Sequence, residues 1–496
     1  MKKVIAIDLG ASNGRLILAT LFNKSKLEIT EIHRFSNEPI QKNGHLHWNI
    51  SYLFHEILKG LRLYLEGNPV AIDGVGVDTW GVDFGLLSQD GKLLEDPYSY
   101  RDTHTVNVMD EVHEKLAERE LFERTGVEVS SINTIYQLYA IFKARPDLLE
   151  KTASILTLPS LISYLLSGVK TNEFTHASTT QLFNFKDKKW DESIISKLFG
   201  RQLPFAELNP TNSILGYSTE TINQEINSQA IPIINVPGHD TACALAGMPI
   251  ENGNSAFMSC GTWVLIGIEV KEPIVSEKTY NYGFTNEGTV NGNYRLQKNN
   301  MGLWLIQQCK KEWEANGDSI TYLDQDELLD QATPFRSFID PDHRYFFNPA
   351  SMTEAIKEFC KMTNQLEPIS KGQVLRCIHE SLVLKYRWVI EKIEEVTRTK
   401  VPSVHMGGGG IQNRFLCQYT SNALNRIVKA GPIEASAIGN AISQFIALGD
   451  IENITEGKNI IKNSFDLNEY HPQNLQEWEN AYASFSQILS KNNGGV

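Results

Sequence analysis

The chain has 496 residues, 41% of them hydrophobic and 21% charged, with a formal net charge of -13. This is ordinary globular composition, and the length calls for two domains, expected at 1–247 and 248–496. The acidic balance argues against non-specific binding to nucleic acid or to an anionic membrane, both of which want a basic face.

From the N-terminus, Met1-Lys2-Lys3 imitates the start of a secretory signal, but Asp8 breaks the apolar stretch far short of the length such a signal needs. No run approaches a membrane span; Ala256 to Ile268 comes nearest and contains Ser259, Gly261 and Thr262. A soluble cytoplasmic protein is expected. Val4 to Ile7 reads as a buried strand, Gly10-Ala11-Ser12-Asn13-Gly14 as a turn with little side-chain bulk, and Arg15 to Phe22 as a second strand. Leu27 to Phe35 adds a third. Successive N–H groups in such a glycine turn can cradle phosphate oxygens, and Ser12 adds a hydroxyl. Asp8 at its mouth suits Mg²⁺, directly or through water. An ordinary hairpin with a capping aspartate fits the same residues. The segment also satisfies Gly-x-Ser-x-Gly, the nucleophile elbow of α/β-hydrolases with Ser12 as nucleophile, but that motif needs a helix where this chain has a strand.

A helix is expected at Ser51 to Leu65, a strand at Ala71 to Val77 and a hairpin at Val82 to Leu94. Between the last two, Asp78-Thr79-Trp80-Gly81-Val82-Asp83 leaves a strand through a glycine where a small ligand can touch backbone. Trp80 either offers a face to a sugar ring or fills the core below the turn. His45-Leu46-His47 is too isolated for a metal site and reads as a surface hairpin. Helices dominate from Val106 to Leu166, with Gly168 as a C-cap, and prolines 204, 210, 232 and 237 punctuate a loop-rich stretch. Val236-Pro237-Gly238-His239-Asp240-Thr241 then opens a helix of small residues. The helix dipole there favours an ionised Asp240, which suits a general base as well as an N-cap.

The second half repeats the pattern, with a strand from Asn254 to Phe257 leading to Ser259-Cys260-Gly261-Thr262 and an apolar strand ending at Ile268. A further strand is expected at Tyr294 to Gln297, a long amphipathic helix over Gln373 to Arg398, and a strand over Val401 to Met406. Gly407 to Gly410 follows, where backbone can approach a flat ring or a phosphate closely. A helix at Asn413 to Asn422, a strand at Ile427 to Ala430 and a helix at Glu434 to Leu448 complete an α/β alternation. The tail after Asp450 is polar and carries no signal. Six scattered cysteines form no C-x-x-C pair and are expected as small core residues.

Taken in order, AIDLGASNGR, EIHRF, DTWGVDF, YRD at Tyr100, NTIYQL at Asn133, HDTACA, TNEG at Thr285, NNMGLWLIQ at Asn299 and GPIEASAIGN at Gly431 resemble the FGGY family of carbohydrate kinases, in the actin and hexokinase superfamily. The resemblance implies two actin/hexokinase-like, ribonuclease H-like α/β domains with an active-site cleft between them. It implies transfer of the ATP γ-phosphate to the 1-hydroxyl of L-rhamnulose, with Asp240 as base and Mg²⁺ held by Asp8, through water. Ala11, Ser12, Asn13, Gly14 and Arg15, with Thr262, Gln307 and Gly409, would hold ATP; Gly81, His239, Asp240, Thr241 and Asn299 would contact the sugar. ATP/ADP and a ketose are thus the expected partners, without nucleic acid or membrane, in a monomer or small homo-oligomer. Members with these motifs commonly read Met-Pro-Asp where this chain has Leu158-Pro159-Ser160, and Gly407 is an additional glycine. Rival readings are a kinase for L-fuculose or L-xylulose and, from another class, a nonenzymatic ATP-binding sugar sensor.

Overall fold

The computed structural model describes residues 1–67, 71–250 and 255–492. The chain forms two compact units that interleave along the sequence: Met1–Pro249 with Glu269–Leu296 and Glu434–Asp466, and Ile250–Ile268 with Gln297–Ile433 and Leu467–Val496.

The first unit is built on a six-stranded sheet in the order Ser213–Tyr217, Pro232–Asn235, Gly74–Thr79, Lys2–Leu9, Asn13–Phe22, Lys26–Ser36. Lys2–Leu9 lies inside it, antiparallel to Asn13–Phe22 and parallel to Gly74–Thr79. Side chains alternate across a strand, so Ile5 and Ile7 face one layer and Val4 and Ala6 the other. On the first face the helix Ile50–Gly67 packs Leu53, Ile57 and Leu61 into one core with Ile5, Ile7 and Leu16. On the second, the helix Ala435–Ala447 brings Ile438, Ile442 and Phe445 against Val4, Ala19 and Leu21. The run Val4 to Ile7 therefore reads as continuously apolar because helices cover both faces.

The hairpin expected at Val82 to Leu94 is not the principal pairing. Phe84–Leu87 pairs antiparallel with Ser154–Thr157, while the hairpin itself is short, with a Leu87–Leu93 bridge flanked by the Leu94 N–H on the Leu86 carbonyl and the Ser88 N–H on the Lys92 carbonyl, both at 2.9 Å. The apolar Ile155 and Leu156 offer a fully buried partner that the Gly91-Lys92 turn cannot. The expected helices between 106 and 166 are present, and Gly168 closes the last at φ +75°, its N–H on the Tyr164 carbonyl at 2.7 Å. His45–His47 is one arm of a short hairpin with Ile40–Lys42.

The second unit carries the strands Trp263–Val270, Ala256–Cys260, Ser403–Gly407, Ile427–Ala430 and Asn468–Tyr470, neighbours in that order. Asn254 lies outside the described residues. The long helix runs Lys371–Thr397, beginning where the Ser370 side chain accepts the Gln373 N–H, and buries Leu375, Ile378, Leu382, Tyr386, Val389 and Ile393. The tail forms two helices: Ile454–Ser464 buries Ile460 and Ile461, and Leu475–Asn492 buries Trp478 and Phe485. All six cysteines are buried free thiols. Among the described residues no helix is long and apolar enough to cross a membrane.

Candidate active site

The strand Pro232–Asn235 ends in Val236-Pro237-Gly238, and the helix Asp240–Gly247 begins two residues later with His239 as its N-cap. A buried carboxylate fixes this turn. Glu173 Oε2 accepts the N–H groups of Gly238 (2.8 Å), Thr175 (2.8 Å) and His176 (3.1 Å), and Oε1 accepts the Thr211 hydroxyl at 2.6 Å. Asp240 keeps 29% of its side chain exposed. Its Oδ1 lies 2.8 Å from His239 Nδ1 and accepts the Thr241 hydroxyl at 3.1 Å. The same His239 nitrogen is 3.1 Å from the Thr241 N–H, so a protonated Nδ1 serves Asp240 and a bare one caps the helix. Burial alone would raise the Asp240 carboxyl, but the hydrogen bond and charge of His239, with Thr241, hold it below the ordinary carboxylate value. The group is thus kept ionised and ready to accept a proton.

Gly81 lies under His239: a Cβ there would stand 3.0 Å from His239 Nε2. The same nitrogen is 3.6 Å from Glu287 Oε2, and Glu287 is paired in turn with the fully buried Arg295. Trp80 fills the core. It is 5% exposed, packs against Trp48 with centroids 4.2 Å apart and the rings tilted by 45°, and donates its indole N–H to Asp83 at 2.8 Å. It therefore offers no open face to a sugar. Burial pushes the Asp83 carboxyl up to about 6. Ser160, where related motifs carry an acid, is buried and accepts the Thr157 hydroxyl at 3.1 Å.

Asp8 and Asp78 face each other across the paired strands Lys2–Leu9 and Gly74–Thr79, both nearly inaccessible. Arg15 Nη2 donates to Asp8 Oδ2 at 2.5 Å and Nη1 pairs with Glu434; Asn440 donates to Asp78 Oδ2 at 2.6 Å. Burial raises both aspartates, and the charges of one another and of Asp240 push in the same direction for Asp78, as Asp240 and Glu434 do for Asp8. Arg15 Nε and Asp78 Oδ1 are buried without a hydrogen-bond partner. Crowded carboxylates beside an orphaned guanidinium donor suit a cation that arrives with phosphate oxygens. Among the described residues no three of His, Cys, Asp and Glu converge to hold an ion by themselves.

The turn that follows is tight: the Gly10 N–H meets the Asn13 carbonyl at 2.9 Å, and Asn37 clamps it through its own N–H on Ser12 O (3.0 Å) and its amide on Gly10 O (2.8 Å). Gly14 admits no side chain, since a Cβ would lie 2.3 Å from the Phe35 ring. A strand, Asn13–Phe22, follows Ser12, so the nucleophile elbow is excluded.

Thr262, Gln307, Gly409 and Asn299 belong to the second unit. There the Thr262 carbonyl accepts the N–H groups of Gly302 (3.1 Å) and Trp304 (3.3 Å) at the head of the helix Trp304–Ala315, which carries Gln307. Gly408, at φ +85°, and Gly410 fold against Cys260: Cβ atoms on them would stand 2.8 Å and 2.9 Å from its carbonyl oxygen and Cβ. Gly409 between them has open space. Thr262 and Gly409 thus share one neighbourhood with the start of the Gln307 helix. Asn299 Oδ1 accepts the Gln297 amide at 3.4 Å in the strand Tyr294–Met301.

Sequence reasoning missed Glu173, Asn440 and the Glu287–Arg295 pair. TNEG contains Glu287 and GPIEASAIGN contains Asn440, so the motifs held a signal for these two; Glu173 had none, because its role is a tertiary contact with a turn 65 residues away.

Residues 3–247 and 256–448 match the N-terminal and C-terminal domains of the FGGY family of carbohydrate kinases. Among relatives, the chain is 38% identical to a rhamnulokinase of Bacteroides thetaiotaomicron over 484 residues, covering 98% of this chain and 99% of that one. It is 40% identical to a rhamnulokinase of Halalkalibacterium halodurans over 473 residues, covering 95% and 99%. Its fold resembles a ligand-bound xylulose kinase from Lactobacillus acidophilus, with a TM-score of 0.84, 13% identity and 100% and 99% coverage. A Plasmodium falciparum glycerol kinase with ADP gives a TM-score of 0.80 at 14% identity, covering 99% and 98%. The α/β architecture in two units, the turn at Asp8, the carboxylate at Asp240 and the two matched domains converge: the chain belongs to the FGGY family of carbohydrate kinases.

Proposed function

We propose that the enzyme transfers the γ-phosphoryl group of ATP to the 1-hydroxyl of L-rhamnulose, giving L-rhamnulose 1-phosphate and ADP in L-rhamnose catabolism. The observation that carries the reading is Asp240, held ionised by His239 at a helix start directly above Gly81. The rhamnulokinases that match this chain nearly end to end favour the sugar. Gly81, His239, Thr241 and Asn299 contact the ketose. Asp240 accepts the proton of the attacking hydroxyl, a role worth roughly 10²–10⁴-fold in rate. Ala11, Ser12, Asn13, Gly14 and Arg15, with Thr262, Gln307 and Gly409, hold the nucleotide. Arg15 exchanges its pairing with Asp8 and Glu434 for phosphate oxygens, which suits its unpartnered Nε. Mg²⁺ neutralises phosphate charge when bound, and Asp8, beside Asp78, would hold it, through water. The proposed setting is cytoplasmic, as a monomer or small homo-oligomer without nucleic-acid or membrane partners.

An ADP-release assay across L-rhamnulose, L-fuculose and L-xylulose tests the substrate, and Asp240→Asn tests the chemistry. The variant should bind ATP normally and lose phosphoryl transfer at least a hundredfold. Near-normal turnover by Asp240→Asn would sink the assignment, and preference for another ketose would replace L-rhamnulose.

A further inference from the structure

We infer that Asp83 is a positioning residue for the sugar: its carboxylate clamps a strained turn, Gly81-Val82-Asp83, that presents Gly81 beneath His239. The inference rests on Gly81 and His239 being sugar contacts, as proposed above.

Val82 is a β-branched residue at φ +66°, in a region such residues avoid. The Asp83 N–H closes back onto the Gly81 carbonyl at 2.9 Å, an i to i+2 bond around a positive φ, which is the rare and strained kind of γ-turn. Strain of this kind persists only where the surroundings over-determine it. Here two hydroxyls hold the Val82 peptide groups, Thr179 accepting its N–H at 3.1 Å and Thr134 donating to its carbonyl at 2.5 Å. The rest converges on Asp83. Its Oδ2 accepts the indole N–H groups of Trp48 (2.6 Å) and Trp80 (2.8 Å) and the Tyr100 N–H (3.3 Å), while Oδ1 accepts the Gln137 amide (2.9 Å). Four donors from separate parts of the chain thus end on the residue that closes the turn.

This network selects an ionised carboxylate. Indole nitrogens only donate, and the Gln137 amide nitrogen also donates to the Ile132 carbonyl at 2.8 Å, which fixes its orientation. Position 83 must therefore offer acceptors on both sides. Asparagine has the same shape but would aim an N–H₂ group at a donor on one of them. The site connection is direct: the Trp80 carbonyl, one residue before the turn, lies 3.0 Å from His176 Nε2, and His239 Nε2 sits so close over Gly81 that a methyl group there would push the ring by a few tenths of an ångström.

The test is a double-mutant cycle of Asp83→Asn and Val82→Gly, read by kinetics and by melting temperature. Asp83→Asn should raise the KM for the ketose at least tenfold while leaving the KM for ATP within twofold. Val82→Gly removes the strain, because glycine takes positive φ freely, and in the double variant it should recover most of that loss. Trp48→Phe, which deletes one donor and keeps a ring, serves if Asp83→Asn does not fold, and its smaller rise in ketose KM should be rescued likewise. Melting without sugar reads the clamp whichever ketose is the substrate: the two substitutions must be coupled, the double variant melting above the sum of the single shifts. Additive shifts, an unchanged ketose KM, or an equal rise in both KM values would overturn the inference. Wild-type turnover on the ketose panel reports on the proposed reaction separately.

Discussion

Gly439→Ala provides the sharpest test of how Asp240 is held. The helix Asp240–Gly247 crosses Ala435–Ala447 so closely that a Cβ on Gly439 would lie 1.8 Å from the Cys243 carbonyl oxygen, and one on Gly247 1.9 Å from that of Ala435. Real contacts of this kind essentially never fall below 3.0 Å, so the helices must separate by about 1.2 Å. Cys243 lies three residues, about 4.5 Å along the axis, from Asp240, so most of that movement reaches the carboxylate. A misplacement of about 1 Å costs on the order of 10²-fold in rate. Overpacking of this kind costs about 1–3 kcal/mol of stability. Steady-state ADP release at saturating ketose and ATP, with a thermal melt of the same preparation, measures both. The expected result is a kcat lowered about a hundredfold in a protein that still folds, with a reduced melting temperature. A variant with wild-type kcat would refute the view that this glycine crossing positions the base.

Two further outcomes are expected. Gly81→Ala places a methyl 3.0 Å from His239 Nε2 and 3.2 Å from its Cδ2, so the ring must shift by a few tenths of an ångström; ketose KM should rise about tenfold with ATP KM unchanged, and equal KM values for variant and wild type would show that Gly81 is not a close contact. Glu380, buried beside Arg376 at 2.7 Å, is pushed by burial up to about 7 from 4.5. The native state therefore keeps a proton that the unfolded chain loses. Stability present below about pH 4.5 is lost as pH rises towards 7, by about 3 kcal/mol, and Glu380→Gln should flatten that slope in urea melts at pH 4.5 and 7.5. Parallel pH dependence in variant and wild type would disprove it.

What the sequence disclosed follows a physical line. The strands at Lys2–Leu9 and Asn13–Phe22 were readable because an apolar run, a glycine turn and a second apolar run form a local hairpin whose register its own turn sets. The helix start at Asp240 was readable because Pro-Gly followed by small residues is a local helix-start signal. The pairing of Phe84–Leu87 with Ser154–Thr157 was not, since about 70 residues separate the strands and nothing local names the partner. Trp80 could not be resolved between sugar platform and core filler until Trp48 and Asp83 were seen around its ring. The tail carried no signal because its apolar residues are sparse: Trp478 and Phe485 are buried on a helix whose other face is polar.

The interleaving of the two units bears on how the protein is made. The unit that holds Asp8 and Asp240 is completed by Glu434–Asp466, whose Ile438, Ile442 and Phe445 cover Val4, Ala19 and Leu21. At roughly 5–20 residues per second, translation of the intervening stretch of roughly 200 residues leaves that apolar sheet face without its helix for about 10–40 s. The nascent N-terminal half is thus a natural client for chaperones during synthesis, and a fragment ending near Pro249 would aggregate rather than serve as an isolated sugar-binding module.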